Sequence, residues 1–249
     1  MTDKVVLLVG PRSNKKITHG MSIAFDMLIY GMKAEGITVK IINRSFAEQH
    51  RKIGTLTILG IFTNFIILVQ FLWKIVFIHT VYITLGTSRA GFFRDAMMIW
   101  AASILKKRIV LHLHGGGYKD FFHTSPVGLR RMIRFMFNKV DIFIVLGDLL
   151  RDQFEFVNDI DLKIRVVPNG LPSENLNDSS PKKISNKEPL RILYLSNLIP
   201  SKGYLDVLES CRILFYDQHI PIRGDFCGAF VKQILKKVKY YRTKRVSGI

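Results

Sequence analysis

The chain has 249 residues and lacks several of the features that would assign it quickly. Its two cysteines, Cys211 and Cys227, are too few for a disulfide framework, which points to a reducing compartment. The first apolar run, residues 4–10, is too short for a secretory signal and has no small-residue cleavage site. No Gly-x-Gly-x-x-Gly follows it, which argues against a dinucleotide enzyme, and no Walker A sequence supports a kinase or ATPase. No Gly-x-Ser-x-Gly elbow exists, so the His-Gly-Gly-Gly at 114–117 has no esterase nucleophile to serve. His112 and His114 lie two apart, but nothing nominates a third ligand, so no metal is expected. No internal repeat or low-complexity tract is visible.

Acid is also scarce. Nineteen Asp and Glu stand against 37 Lys and Arg, a net charge of +18. The excess is spread: +11 over residues 1–172 and +7 over 173–249. Such a field favours anionic partners, namely nucleic acid, anionic lipid or phosphorylated substrates. Basic clusters occur at Lys106-Lys107-Arg108, at Arg130, Arg131 and Arg134, and from Lys232 to Arg245. The aromatics sit in apolar runs and are not interleaved with these cations, so stacking on nucleic acid is not expected.

What is present is an alternation of short apolar runs and helical periods. Strands are expected at 4–10, 37–43, 76–85, 109–113, 140–146 and 163–167. Helices are expected at 21–34, 95–105, 126–138 and near 147–157, with a loop over 86–95. Alternating strands and helices imply an α/β doubly wound parallel sheet. Residues 53–73 carry no charge and could form a helix long enough to cross a bilayer. The polar Thr55, Thr57, Thr63, Asn64 and Gln70 argue against crossing, as do strands of one sheet on both sides of the segment. A buried helix, or one resting on a membrane surface, is the expectation. Residues 173–188 are rich in Asn, Ser and Pro and read as a linker between domains at 1–172 and 189–249.

Two stretches carry chemistry. At 190–209 a strand pattern turns through Asn197–Gly203 into a helical period, a layout that suits phosphate. A helix N-terminus offers free backbone N–H groups, and Lys202 adds a full positive charge. At 111–117, His114-Gly115-Gly116-Gly117 follows a strand directly at its C-terminal end, where ligands bind in open parallel sheets. Glycines there let backbone approach a ligand closely, although a tight structural bend would need them too.

Together these motifs resemble the family 4 retaining glycosyltransferases of the GT-B fold. Residues 191–203 look like that family's donor-phosphate loop, Val166–Pro172 like its interdomain crossing, and Leu111–Gly117 like its N-domain active-site loop. The resemblance implies a complete N-terminal Rossmann-like domain on the acceptor side and a partial C-terminal one on the donor side. It implies sugar transfer from a nucleotide-diphosphate donor to a glycan or lipid-linked acceptor, in polysaccharide biosynthesis, without a metal or other cofactor. It places Lys202, Asn197 and Gly203 on the donor phosphates and His114 beside the reacting sugar. His19, Gly20 and Gly115 to Gly117 would form the acceptor-side loops, and Asn169 and Gly170 the crossing. The setting implied is cytoplasmic and peripheral on an anionic membrane face.

Two departures qualify this. Asn197 stands where the family usually has Arg, and it brings no charge. The family's Glu-(seven residues)-Glu segment does not occur in the 47 residues after Lys202. The expectation is therefore a truncated donor half, inactive as it stands, with a non-catalytic remnant or binding module as the alternative.

Overall fold

The computed structural model describes residues 5–13, 20–45, 58–170 and 189–228. The chain divides into two compact units, Met1–Leu176 and Asn177–Ile249. The first is an α/β unit built on a six-stranded sheet.

Its strands are β1 (Val6–Gly10), β2 (Val39–Asn43), β3 (Thr80–Thr84), β4 (Arg108–His112), β5 (Ile142–Val145) and β6 (Ile164–Val166). They pair in the order β2-β1-β3-β4-β5-β6, and every pairing is parallel. Apolar runs such as Val-Leu-Leu-Val suit strands covered on both faces. The order reverses between β1 and β3. Their C-terminal ends therefore flank the switch point where open parallel sheets place ligands.

Helices cover both faces. Helix α1 (Gly20–Ala34) packs on one, where Phe25 and Ile29 meet Leu8 and Tyr82. Gly36, at φ +72°, ends its excursion, with Ile37 N–H donating to the Met32 carbonyl. On the other face lie α2 (Ile58–Ile75), α3 (Arg89–Ile104) and α5 (Val127–Phe137), contributing Ile67, Phe71, Phe92, Ile99 and Ile133 to the larger core.

Several boundaries differ from the sequence expectation. The loop expected over 86–95 is short, because Ser88 caps α3 and its side chain accepts from Gly91 N–H. A serine N-cap can outweigh the weak helix propensity of glycine in the first turn. The strand expected over 76–85 is confined to 80–84, since α2 runs on to Ile75. Two short helices escaped the periodicity, α4 (Tyr118–Thr124) and α6 (Ile160–Lys163), each little more than one or two turns. The segment 147–157 is mainly a 3-10 helix, Asp148–Phe154.

Among the described residues no helix is long and apolar enough to cross a membrane. Within 53–73, Ile67 and Phe71 are inside the core while Trp73 lies 83% exposed. One face of α2 is thus committed to the sheet.

The second unit shows β7 (Leu190–Leu195) and β8 (Ile222–Cys227), paired in parallel, with α7 (Tyr204–Arg212) between them. The helical period that follows Gly203 runs as α-helix to Arg212 and continues as one wide turn over Ile213–Asp217. Among the described residues of this unit Tyr194, Leu198 and Tyr204 are buried, with Val207 and Phe226 packed on them. The linker 173–188 and the basic cluster from Lys232 to Arg245 lie outside the described residues.

Candidate active site

In the first unit the polar side chains gather at the C-terminal edge of the sheet. Strand β4 ends at His112, and Leu113 continues the pairing by donating its N–H to the Ile144 carbonyl. His114 then stacks on His112, with ring centroids 3.8 Å apart. Tyr82, on the neighbouring strand β3, shares a 2.5 Å hydrogen bond between its hydroxyl and His112 Nδ1. Burial holds the Tyr82 hydroxyl protonated by pushing its pKa up.

Both imidazoles are held neutral. Burial lowers His112 to about 3, and the adjacent His114 adds to the effect. Burial also lowers His114 to about 4, assisted by the positive charge of Arg44. Neither ring nitrogen of His114 has a hydrogen-bond partner among the described residues, though both are buried. Buried polar atoms are nearly always paired, so these two nitrogens make His114 the candidate ligand contact at this edge of the sheet. A neutral imidazole can accept a hydrogen bond on one nitrogen and donate on the other, which suits a hydroxyl.

Behind this pair lies a buried ionic knot. Asp95, fully buried in the second turn of α3, accepts from Arg44 Nη1 at 3.4 Å and from Arg94 Nε at 2.8 Å. Its other oxygen accepts from Gly86 N–H at 2.9 Å. One carboxylate thus ties the loops after β2 and β3 together. Beyond β1, Arg12 N–H donates to Asn43 and Ser45, and its Nε pairs with Asp26 at 2.8 Å. Gly10 lets the end of β1 pass close to α1, because a Cβ there would lie 2.5 Å from the Phe25 ring.

The glycine loop is shaped by backbone demands. Gly115 sits at φ +128° and Gly117 at φ +89°, conformations that L side chains rarely adopt. Gln153 Oε1 accepts from Tyr118 N–H at 2.9 Å and from Lys119 N–H at 3.3 Å, so it satisfies the start of α4. Tyr118 is fully buried against Phe137 and Phe154, and Phe122 stacks on Phe156 at 3.8 Å. This aromatic cluster anchors the loop from below.

In the second unit, β7 leads through a 3-10 turn, Pro200–Lys202, into α7. Gly203 links them at φ +75°, the left-handed conformation that glycine favours. The Tyr194 hydroxyl donates to the Lys202 carbonyl at 3.0 Å, fixing the backbone while the Lys202 side chain stays exposed. Asn197 is exposed at the start of the same turn. Gly20 is the first residue of α1, Asn169 and Gly170 lie exposed after β6, and His19 falls outside the described residues. Among the described residues no three His, Cys, Asp or Glu converge as a metal site.

No protein-family model and no curated protein matches this sequence. Solved structures do match its fold. HepE of Anabaena, in complex with UDP and glucose, superposes with a TM-score of 0.56 at 16% identity, over 95% of this chain and 64% of that one. HepE with UDP gives 0.55 at 14% identity, over 96% and 64%. The lipopolysaccharide outer core galactosyltransferase WaaB gives 0.46 at 11%, over 96% and 71%. The chain spans 64% of the length of HepE, and at this identity the likeness is one of fold.

Sequence reasoning named His114 and the three glycines and took His112 as a core or supporting residue, but it missed Tyr82, Arg44, Asp95 and Gln153. A signal existed for Asp95: it is the one acid between residues 49 and 119, followed by the apolar run Ala96–Ala102. Nothing local marks Gln153, which acts 35 residues from its partner Tyr118.

Proposed function

We propose that this chain transfers a sugar from a nucleotide-diphosphate donor to a hydroxyl of a glycan or lipid-linked acceptor, with retention at the anomeric carbon. The observation that carries the reading is His114: a neutral imidazole at the ligand edge of a parallel sheet, both nitrogens buried and unpaired among the described residues. The fold supports it, since HepE was captured with UDP and with glucose.

In this reading His114 hydrogen-bonds the sugar or acceptor hydroxyl at the reacting centre. Tyr82 orients His112, and His112 in turn supports His114 by stacking. Lys202, at the start of α7, stabilises the negative charge that builds on the departing diphosphate, a task that needs positive charge and no metal. Asn197 hydrogen-bonds the same phosphates without adding charge. The backbone of Gly115 and Gly116 passes close to the acceptor side.

Calorimetry with UDP-glucose, followed by transfer assays on a panel of acceptors, tests this. Lys202→Ala should weaken donor binding about tenfold or more, as expected for a lost charge-assisted contact. His114→Ala should leave donor binding intact and abolish transfer. Donor binding unaffected by Lys202→Ala would overturn the assignment. Binding without transfer by the unaltered chain would favour the binding-module alternative.

A further inference from the structure

We propose that α4 and α5 carry a binding site for a small phosphate monoester, built on the arginine cluster of α5. The proposal is independent of the sugar-transfer reading, since none of the residues given a role there lines this site.

A cavity of about 210 Å³ is lined by Phe122 of α4 and by Val127, Arg130, Arg131 and Arg134 of α5. Its aromatic wall is fixed, because Phe122 is buried and stacks on Phe156 at 3.8 Å. Arg134 is held against that wall. Its Nε donates to the Phe156 carbonyl at 3.2 Å, and its guanidinium lies 5.6 Å from the centre of the Phe122 ring. Neither contact supplies negative charge.

Among the described residues none of the three guanidinium groups has a carboxylate partner. Asp152 and Glu155, the acids that reach α4 from the 3-10 helix, are taken by Lys119 and His123. Arg130 and Arg134 stand one helical turn apart, and like charges at that spacing repel by about 0.2–0.5 kcal/mol. Arg131 adds a third charge beside them. An anion in the cavity would offset all three.

Charge and size select the anion. A carboxylate has one charge and one pair of oxygens, enough for a single guanidinium fork. A phosphate monoester carries about −1.5 to −2 near neutral pH and has three free oxygens, enough for two or three arginines. Sites for drug-sized ligands run to about 300–1,000 Å³, so this smaller cavity suits a phosphate on a small organic group. The apolar part of such a ligand would rest on Phe122 and Val127. A single concave site also differs from the extended basic groove that a nucleic-acid strand requires.

Calorimetry on the full chain with phenyl phosphate, inorganic phosphate and acetate tests this. Phenyl phosphate should bind saturably and more tightly than inorganic phosphate. Acetate should not compete, and added sodium chloride should weaken binding. Arg130→Gln/Arg131→Gln removes two charges and no core contact. It should weaken phenyl phosphate binding about tenfold or more, the scale of lost charge-assisted hydrogen bonds, with an unchanged circular dichroism spectrum. Lys202→Ala should leave this binding as it was, because Lys202 belongs to the second unit. Peptide mapping after phenylglyoxal treatment locates the site without a variant: phenyl phosphate should shield Arg130 and Arg131 from modification.

Four results would overturn the proposal. One is no saturable binding of phenyl phosphate. Another is equal affinity for acetate. The third is binding that survives Arg130→Gln/Arg131→Gln or is lost in Lys202→Ala, which would place the phosphate elsewhere. The fourth is displacement of phenyl phosphate by vesicles of phosphatidic acid, which would make the phosphate source a lipid headgroup and not a soluble ester.

Discussion

The two units hold their candidate site residues by different means. In the first, a closed core does so: Leu7, Val81, Leu111 and Phe143 are fully buried in the sheet, and aromatic packing under Tyr118 fixes the glycine loop. In the second, the described core is Tyr194, Leu198 and Tyr204, while Leu193 and Leu195 stand 64% and 76% exposed on β7. There the Lys202 turn is shaped locally, by the left-handed Gly203 and the Tyr194 hydrogen bond. The difference teaches that a charged phosphate contact needs only a shaped turn. A pair of neutral histidines needs a desolvated setting, which only a large core can supply.

The contrast can be broken at its strongest point first. Phe137→Ala, in the aromatic cluster of the first unit, should cost about 3–5 kcal/mol in urea unfolding. Leu195→Ala in the second should stay within about 0.5 kcal/mol. Comparable losses at both positions would mean that the exposed β7 face is covered in solution.

Next comes the backbone. Gly115→Ala and Gly117→Ala should each cost about 1–3 kcal/mol, because alanine resists positive φ. The same loss without any change in donor binding would separate the two sites further.

The last effect is electrostatic, grows as pH falls, and sharpens the comparison rather than breaking it. His112 and His114 have folded pKa values lowered to about 3 and about 4, below the ordinary 6.5. The unfolded chain therefore binds more protons than the folded one as pH falls from about 6.5 toward 4. Stability is full above that window and declines through it, by up to about 1.4 kcal/mol per pH unit for each histidine. Urea midpoints measured across the window should show the decline in the first unit. His114→Asn should flatten it, and an unchanged slope would mean the imidazoles are hydrated.

Much of the fold was legible in the chain. Strand and helix alternation, the expected strand near each observed one, and the glycine loop at a strand end all follow from local pattern. The boundaries that failed did so for nameable reasons: a serine cap at Ser88 that lengthens α3, and short helices below the reach of periodicity. The site was legible in part. His114 and Lys202 stand in recognisable motifs, whereas Arg44 and Asp95 meet across 51 residues and Tyr82 and His112 across 30.

By itself, then, the sequence determined which segments become strands and helices, where glycine permits unusual backbone, and that the surface carries excess positive charge. These depend on residue type and spacing along the chain. Only the tertiary structure decided that His112 and His114 are stacked and neutral, that Asp95 is the buried tie between two loops, and that one face of the charge-free segment remains uncovered. Those depend on which distant residues exclude water from a group, and periodicity specifies an apolar face without specifying what will meet it.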